Sequence, residues 1–282
     1  MNTNTIGIIG VSGKTGSRVQ ARLQNKGYEV RGLSRQTAPG FDWTEPKQWR
    51  SALTGVSSLY ITYQPDLAVP RAEKDIATLI GAAKSAGIGH LVLLSGRGEE
   101  GAEKAEQQII NSGLEWNIVR ASWFMQNFSE SFMLDGVIAR EMVLPQAKAD
   151  EPFIDVDDIS DVVVTALTNP ALRNQLLEIT GPELLSFEQC LAHIGAAIGE
   201  EISYHPIHVN DYIASAKQHG MPAEIAWLMN ELFTNVLDGS NAFTTNTVKE
   251  VLGREPKRFA DYVGKVAATN VWQRQNAEVL AS

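Results

Sequence analysis

The sequence predicts an α/β fold, a doubly wound parallel sheet followed by a small, mainly helical C-terminal lobe. Three observations carry this. Short apolar runs alternate with helix-period patterns that stop at glycine, a glycine-rich turn joins the first run to the first helix, and from about residue 130 the alternation loosens into mostly helical patterns.

Ile6, Ile8 and Ile9 form the first strand, which ends at Gly10. The turn of Val11, Ser12, Gly13, Lys14, Thr15 and Gly16 then enters a helix that packs Val19, Ala21 and Leu23 on the sheet and stops at Gly27 in a left-handed cap. The glycines at 10, 13 and 16 spell G-x-x-G-x-x-G in place of G-x-G-x-x-G. Without side chains the backbone can approach a pyrophosphate, and the helix start offers that anion free N–H groups. Placement between strand and helix gives the motif its weight. Gly13, Lys14 and Thr15 also invite a P-loop reading, but that motif needs glycine where Ile8 stands. The second strand, 28–33, ends in Ser34 and Arg35, where an NAD-preferring site carries a carboxylate. A guanidinium there favours a 2′-phosphate, so NADP(H) is expected over NAD(H), with Lys14 as a second cation. The plain alternative is that Arg35 solvates a strand end.

Further strands are expected near Phe41 and at 59–62, 91–94 and 116–119. Between them, Ile76, Leu79, Ile80 and Ala83 recur at helix spacing up to Gly87, and Ala105, Ile109 and Ile110 up to Gly113. Ligands of such a sheet bind outside the carboxyl ends of its strands. The rim then comprises Asp42 and Trp43, then Tyr63, Gln64 and Pro65, then Ser95 to Gly98, and 121–127. Later in the chain 145–152 reads as an exposed loop, Asp157 or Asp158 as the cap of a helix running to Leu167, and 176–180 as one more strand of the main sheet. Ser186 and Gln189 make a capping box, and 209–269 is mostly helical by pattern. The expected division is therefore 1–150 for dinucleotide binding and 151–282 for the remaining strand and a substrate lobe, interleaved with the main sheet.

At 282 residues with 44% hydrophobic and 20% charged residues the chain is an ordinary globular protein, and its net charge of −9 argues against nucleic acid or acidic membrane as partners. No apolar run reaches membrane-spanning length. Cys190, the one cysteine, reads as a helix filler and fits a reducing, cytoplasmic compartment.

Short-chain dehydrogenases pair a tyrosine with a lysine four residues on, which lowers the phenol pKa for proton transfer. No tyrosine here has that spacing, and Tyr262 with Lys265 comes closest. The expected rim offers Ser95 and Lys104 as catalytic candidates, although Lys104 beside Glu103 and Glu106 also fits a solvated helix face. A G-x-S-x-G elbow is absent. His205 and His208 lack the further ligands of a zinc site, and Asp155, Asp157 and Asp158 lack the glycine and glutamate of a calcium loop, so no metal is expected. Trp123, Phe124 and Phe128 around Asn127, with Phe153, read either as core packing or as an apolar wall for a flat, hydrophobic small-molecule substrate.

Seven segments together resemble one family across nearly the whole chain: 10–16 (GVSGKTG), 30–35 (VRGLSR), 41–43 (FDW), 52–61 (ALTGVSSLYI), 120–128 (RASWFMQNF), 152–162 (PFIDVDDISDV) and 178–187 (EITGPELLSF). The sequence resembles an NmrA-like member of the atypical short-chain dehydrogenase/reductase superfamily. FDW and SWFMQNF are most similar to the branch holding the fungal festuclavine-type dehydrogenases. The resemblance implies a Rossmann domain, NADP(H) held by the glycine turn and the Arg35 region, an adenine contact at Asp42, and reduction of quinones, azo dyes or iminium compounds. It also leaves an alternative, since some members sense NADP(H) without chemistry and regulate a protein partner; a homodimer is a further expectation. The missing tyrosine fits iminium and quinone acceptors, which need hydride more than a positioned phenol.

Overall fold

The computed structural model describes residues 4–274. In chain order its elements begin β1 (Thr5–Ile9), α1 (Lys14–Asn25), β2 (Val30–Leu33), α2 (Pro46–Leu53), β3 (Val56–Ile61), α3 (Ala72–Ala86), β4 (His90–Gly96), α4 (Glu100–Ile110) and β5 (Glu115–Ala121). They continue with α5 (Asn127–Glu130), α6 (Leu134–Ala139), β6 (Glu141–Pro145), α7 (Val156–Thr168), β7 (Gln175–Ile179), α8 (Phe187–Ile198), β8 (Ser203–Ile207), α9 (Val209–Gln218), α10 (Ala223–Glu231), α11 (Thr247–Leu252) and α12 (Phe259–Ala267).

These elements form two compact units. The first takes the chain up to Ser122, then Val156–Thr180 and Thr244–Pro256; the second takes Trp123–Asp155, Gly181–Phe243 and the chain from Lys257. A single cut at residue 150 does not describe this path, because β7 and α7 return to the first unit after a stretch of the second.

The first unit is a six-stranded parallel sheet in the order β2-β1-β3-β4-β5-β7. Leu59, Ile61, Leu91, Leu93 and Ile118 bury one face beneath Trp49, Ile76, Leu79, Ala105 and Ile109 of α2, α3 and α4. On the opposite face α1 packs on α7, through Val19 and Leu23 of one and Ile159, Val162 and Val163 of the other. Gly27, Gly87 and Gly113 all take the left-handed conformation expected of them.

Three local expectations are corrected. No strand forms at Phe41: the backbone after β2 folds back so that Phe41 N–H donates to the Ser34 carbonyl at 2.8 Å, which closes a loop in place of an extended segment. Phe41 instead stacks on Trp49 at 5.4 Å. Asp157 and Asp158 stand inside the first turn of α7, where both are ion-pair partners: Arg22 reaches Asp157 at 2.9 Å and Arg254 reaches Asp158 at 2.8 Å. The exposed loop expected at 145–152 is shorter, since Pro145 closes β6 and Glu151 and Pro152 are buried. β2 also starts two residues late, because Tyr28 N–H is spent on the Leu23 carbonyl at the end of α1.

In the second unit β6 and β8 pair in parallel, and the core gathers Phe128, Phe153, Phe187, Phe233, Phe259, Tyr262 and Trp272. Helix α8 opens with the expected capping box of Ser186 and Gln189, and buries Cys190. Among the described residues no helix is long and apolar enough to cross a membrane.

Candidate functional site

The turn from β1 to α1 is built around missing side chains. Gly10 sits at φ +78°, and a β-carbon on it would lie 2.0 Å from Thr62 Oγ1. One on Gly16 would lie 2.2 Å from the Gly10 carbonyl oxygen, so the helix start packs directly against the turn. Gly13 N–H closes the turn onto the Gly10 carbonyl at 2.9 Å. No side chain caps α1 and no acidic residue stands in its first turn. Ser12 and Gly13 are exposed and Lys14 is half-exposed there, so the helix end meets solvent through backbone N–H groups and one cation. Thr15 is turned inward, its hydroxyl accepting from Tyr60 at 3.0 Å, which leaves its backbone to serve the turn. This cradle fits a pyrophosphate, and a β-carbon at Gly10 or Gly16 would destroy it.

After β2, Ser34 N–H donates to Thr37 Oγ1 at 2.9 Å and shapes the loop that presents the exposed Arg35. Asp42 is held below the ordinary carboxylate range, first by the backbone N–H and hydroxyl of Thr44 and then by the charge of Arg35. Past β3, the Tyr63 hydroxyl donates to Asp75 at 2.5 Å, its ring lies 4.6 Å from that of Trp43, and Arg71 sits 5.5 Å over its face. Gln64 is exposed and its carbonyl accepts from Arg71.

Ser95, at the end of β4, is 4% exposed, and its hydroxyl has no hydrogen-bond partner among the described residues. Lys104 stands apart from it on the exposed side of α4, 2.7 Å from Glu100, as the solvated-face reading expects. Two rim residues escaped the sequence reading. Burial pushes the Asp66 carboxyl up, opposed by the Ala68 N–H and the nearby Glu99 side chain, and Glu99 is itself 7% exposed. Both follow immediately on rim stretches singled out in the sequence, 63–65 and 95–98.

In the second unit Trp123 is nearly buried against Phe187 at 5.7 Å and Phe233 at 5.5 Å. Phe124 and Asn127 stay half-exposed, whereas Phe153 lies wholly inside the core between Phe128, Phe187 and Phe259. Tyr262 is interior too; burial raises its phenol, and its hydroxyl bonds to Ser129 at 2.8 Å. His205 is exposed, and His208 caps α9 by accepting from Asn210 N–H. Among the described residues no cluster of three or more His, Cys, Asp or Glu is placed to hold a metal. A groove of about 690 Å³ runs between α8 and the start of β8, and none of the predicted site residues lines it.

A model of the NAD(P)H-binding family matches residues 10–170, from the cradle through α7. The NAD(P)H azoreductase of Xenophilus azovorans is 31% identical over 93% of this chain and 97% of its own length. The agroclavine dehydrogenase of Claviceps fusiformis is 30% identical over 95% and 98%. Among solved structures, the NADPH-dependent quinone oxidoreductase of Escherichia coli complexed with NADPH superposes with a TM-score of 0.79 over 93% of this chain and 99% of that one, at 18% identity, a likeness of fold.

Proposed function

The chain belongs to the NAD(P)H-binding family, and on that premise we propose that it is an NADPH-preferring reductase delivering hydride to a hydrophobic, electron-poor small molecule of the azo, quinone or iminium type. The cradle from Gly10 to Gly16 at the uncapped start of α1 carries the reading. Gly10, Gly13 and Gly16 let the backbone close on the pyrophosphate, and the N–H groups at the head of α1 bind it. Arg35 and Lys14 are the cations assigned to a 2′-phosphate, Asp42 to the adenine side, and Tyr63, Gln64 and Ser95 to the rim beyond it. Once bound, the dihydronicotinamide would supply a hydride, a proton carrying two electrons.

The acceptor class is supported by full-length relatives named as an azoreductase and as clavine dehydrogenases. Absence of the tyrosine–lysine pair agrees with it, because these acceptors depend less on a phenol than a simple ketone does. Within the second unit, Phe124 and Asn127 retain the exposure that contact with an apolar acceptor requires, and Phe153 does not. The single buried thiol fits a reducing compartment, here the cytoplasm.

Titration with NADPH, NADH and their oxidised forms, followed by loss of reduced-nicotinamide absorbance with a menadione-type quinone, an azo dye and an iminium salt, tests the reading. Binding with turnover on one of the three is expected. Tight binding with no turnover on any would favour a redox sensor, and no binding at all would overturn the proposal.

A further inference from the structure

Helix α1 opens on N–H groups that the chain itself leaves over. Among the described residues the N–H groups of Thr15 and Gly16 have no acceptor, as expected for the first turn of a helix without a side-chain cap. Two hydroxyl side chains belong to that turn, and both are engaged elsewhere: Ser17 donates to the Gly13 carbonyl at 2.8 Å, and Thr15 accepts from Tyr60 at 3.0 Å. The engagement matters because a loose hydroxyl near a helix head competes for its N–H groups.

The hold on Thr15 comes from β3. Tyr60 lies in the middle of the sheet, with Ile8 of β1 on one side and Val92 of β4 on the other, and it is wholly buried. Thr62 follows two residues on, just past the strand, and the period of two puts it on the same side. Its hydroxyl donates to the Ile9 carbonyl at 3.0 Å. The same oxygen would meet a β-carbon on Gly10 at 2.0 Å, so Thr62 is seated against the first glycine of the turn. One element therefore grips the cradle at both ends, through Thr62 where β1 turns and through Tyr60 where α1 begins.

Packing alone would be served by a phenylalanine at position 60. The hydroxyl is spent on a single atom of the helix head, and burial pushes its phenol up, so it stays a donor at any working pH. Removing it would leave Thr15 without that anchor and its hydroxyl without a donor.

We infer that Tyr60 and Thr62 are positioning residues for the dinucleotide: acting through Thr15 and through Ile9 and Gly10, they fix the turn and the head of α1 in the arrangement that leaves the Thr15 and Gly16 N–H groups to a pyrophosphate. The inference rests on the NADPH reading of the cradle and deepens it. Neither side chain touches the ligand; each acts through the backbone it holds. Two parts of the cofactor are thereby separated. Binding of the pyrophosphate depends on β3, whereas binding of the adenosine 2′-phosphate, assigned to Arg35 and Asp42 in the loop after β2, does not.

Tyr60→Phe and Thr62→Ala each remove one hydroxyl, and Thr62→Ser restores the second. The whole chain is titrated with two fragments of the cofactor: 2′-phospho-ADP-ribose, which carries the pyrophosphate, by calorimetry, and adenosine 2′-monophosphate, which lacks it, by saturation-transfer NMR. Tyr60→Phe and Thr62→Ala should each weaken the first by about 3- to 10-fold, the loss of one neutral hydrogen bond, and leave the second unchanged. Thr62→Ser should bind both as the wild type does. Urea midpoints establish that the variants are folded, and Tyr60→Phe, which keeps the ring in the core, decides alone if Thr62→Ala does not fold. Unchanged affinity for 2′-phospho-ADP-ribose, equal losses on the two fragments, or a Thr62→Ser variant as weak as Thr62→Ala would overturn the inference while the NADPH reading stood. A wild type that does not bind 2′-phospho-ADP-ribose would instead sink the NADPH reading, and the role of β3 with it.

Discussion

Arg35 is an exposed cation just past the end of β2, at the position where a carboxylate would select NAD, and its charge reaches Asp42. Arg35→Glu should weaken NADPH binding by about 10- to 100-fold, 1.4–3 kcal/mol, while NADH binding changes little; parallel titrations with the two cofactors check it. His90 offers a test of stability. Burial lowers its pKa from 6.5 to about 4, with Arg173 adding to the effect and the hydrogen bond to Asn117 opposing it. The folded protein keeps the ring neutral while the unfolded chain protonates below 6.5, so the contribution is complete above that pH and is lost as pH falls toward 4. Between pH 7 and pH 4.5 this amounts to about 2–3 kcal/mol, and urea unfolding of His90→Gln should show a drop smaller by that amount. The glycines at 10, 13 and 16 were legible in the sequence because their spacing is already the geometry of the turn. Asp66 and Glu99 were not: they lie on different loops, and the seating of Glu99 on Gly96 and of Gly101 on Ala68 exists only in the folded chain.

Helices α1 and α7 are joined by charge as well as by packing. Arg18 and Arg22 of α1 and Arg254, just past α11, converge on Asp157, Asp158 and Asp161 of α7, with Arg254 at 2.8 Å from Asp158 and 2.6 Å from Asp161. Asp158 is 0% exposed, so truncating its partner costs more than a surface pair would; the part exposure of Arg254 tempers it. Arg254→Met should lower the unfolding free energy by about 2 kcal/mol, read from the urea midpoint. The alternation that predicted the main sheet survived wherever apolar runs were buried on both faces, as in β1 and β4. It failed at Phe41, where hydrophobicity serves an aromatic cluster with Trp43 and Trp49 and not a strand. Strands β6 and β8 went unread for the opposite reason: each is five residues, and β8, with Pro206 inside it and no fully buried position, has the look of a loop, which a two-stranded sheet tolerates.

The chain passes between the two units at 122/123, 155/156, 180/181, 243/244 and 256/257. A fragment of residues 1–150 would carry β1 to β5 but neither β7, which pairs with β5, nor α7, which covers Val19 and Leu23 of α1. It should therefore show no cooperative unfolding transition and no NADPH binding, whereas the whole chain shows both; circular dichroism with denaturant and a cofactor titration check this. The same path imposes an order on synthesis. When β5 leaves the ribosome its outer edge has no partner until β7 follows, 54 residues later by the spacing of Ala121 and Gln175. At about 5–20 residues per second that interval is about 3–10 s, during which a row of unpaired backbone groups on the nascent sheet stands open to a chaperone or to another chain.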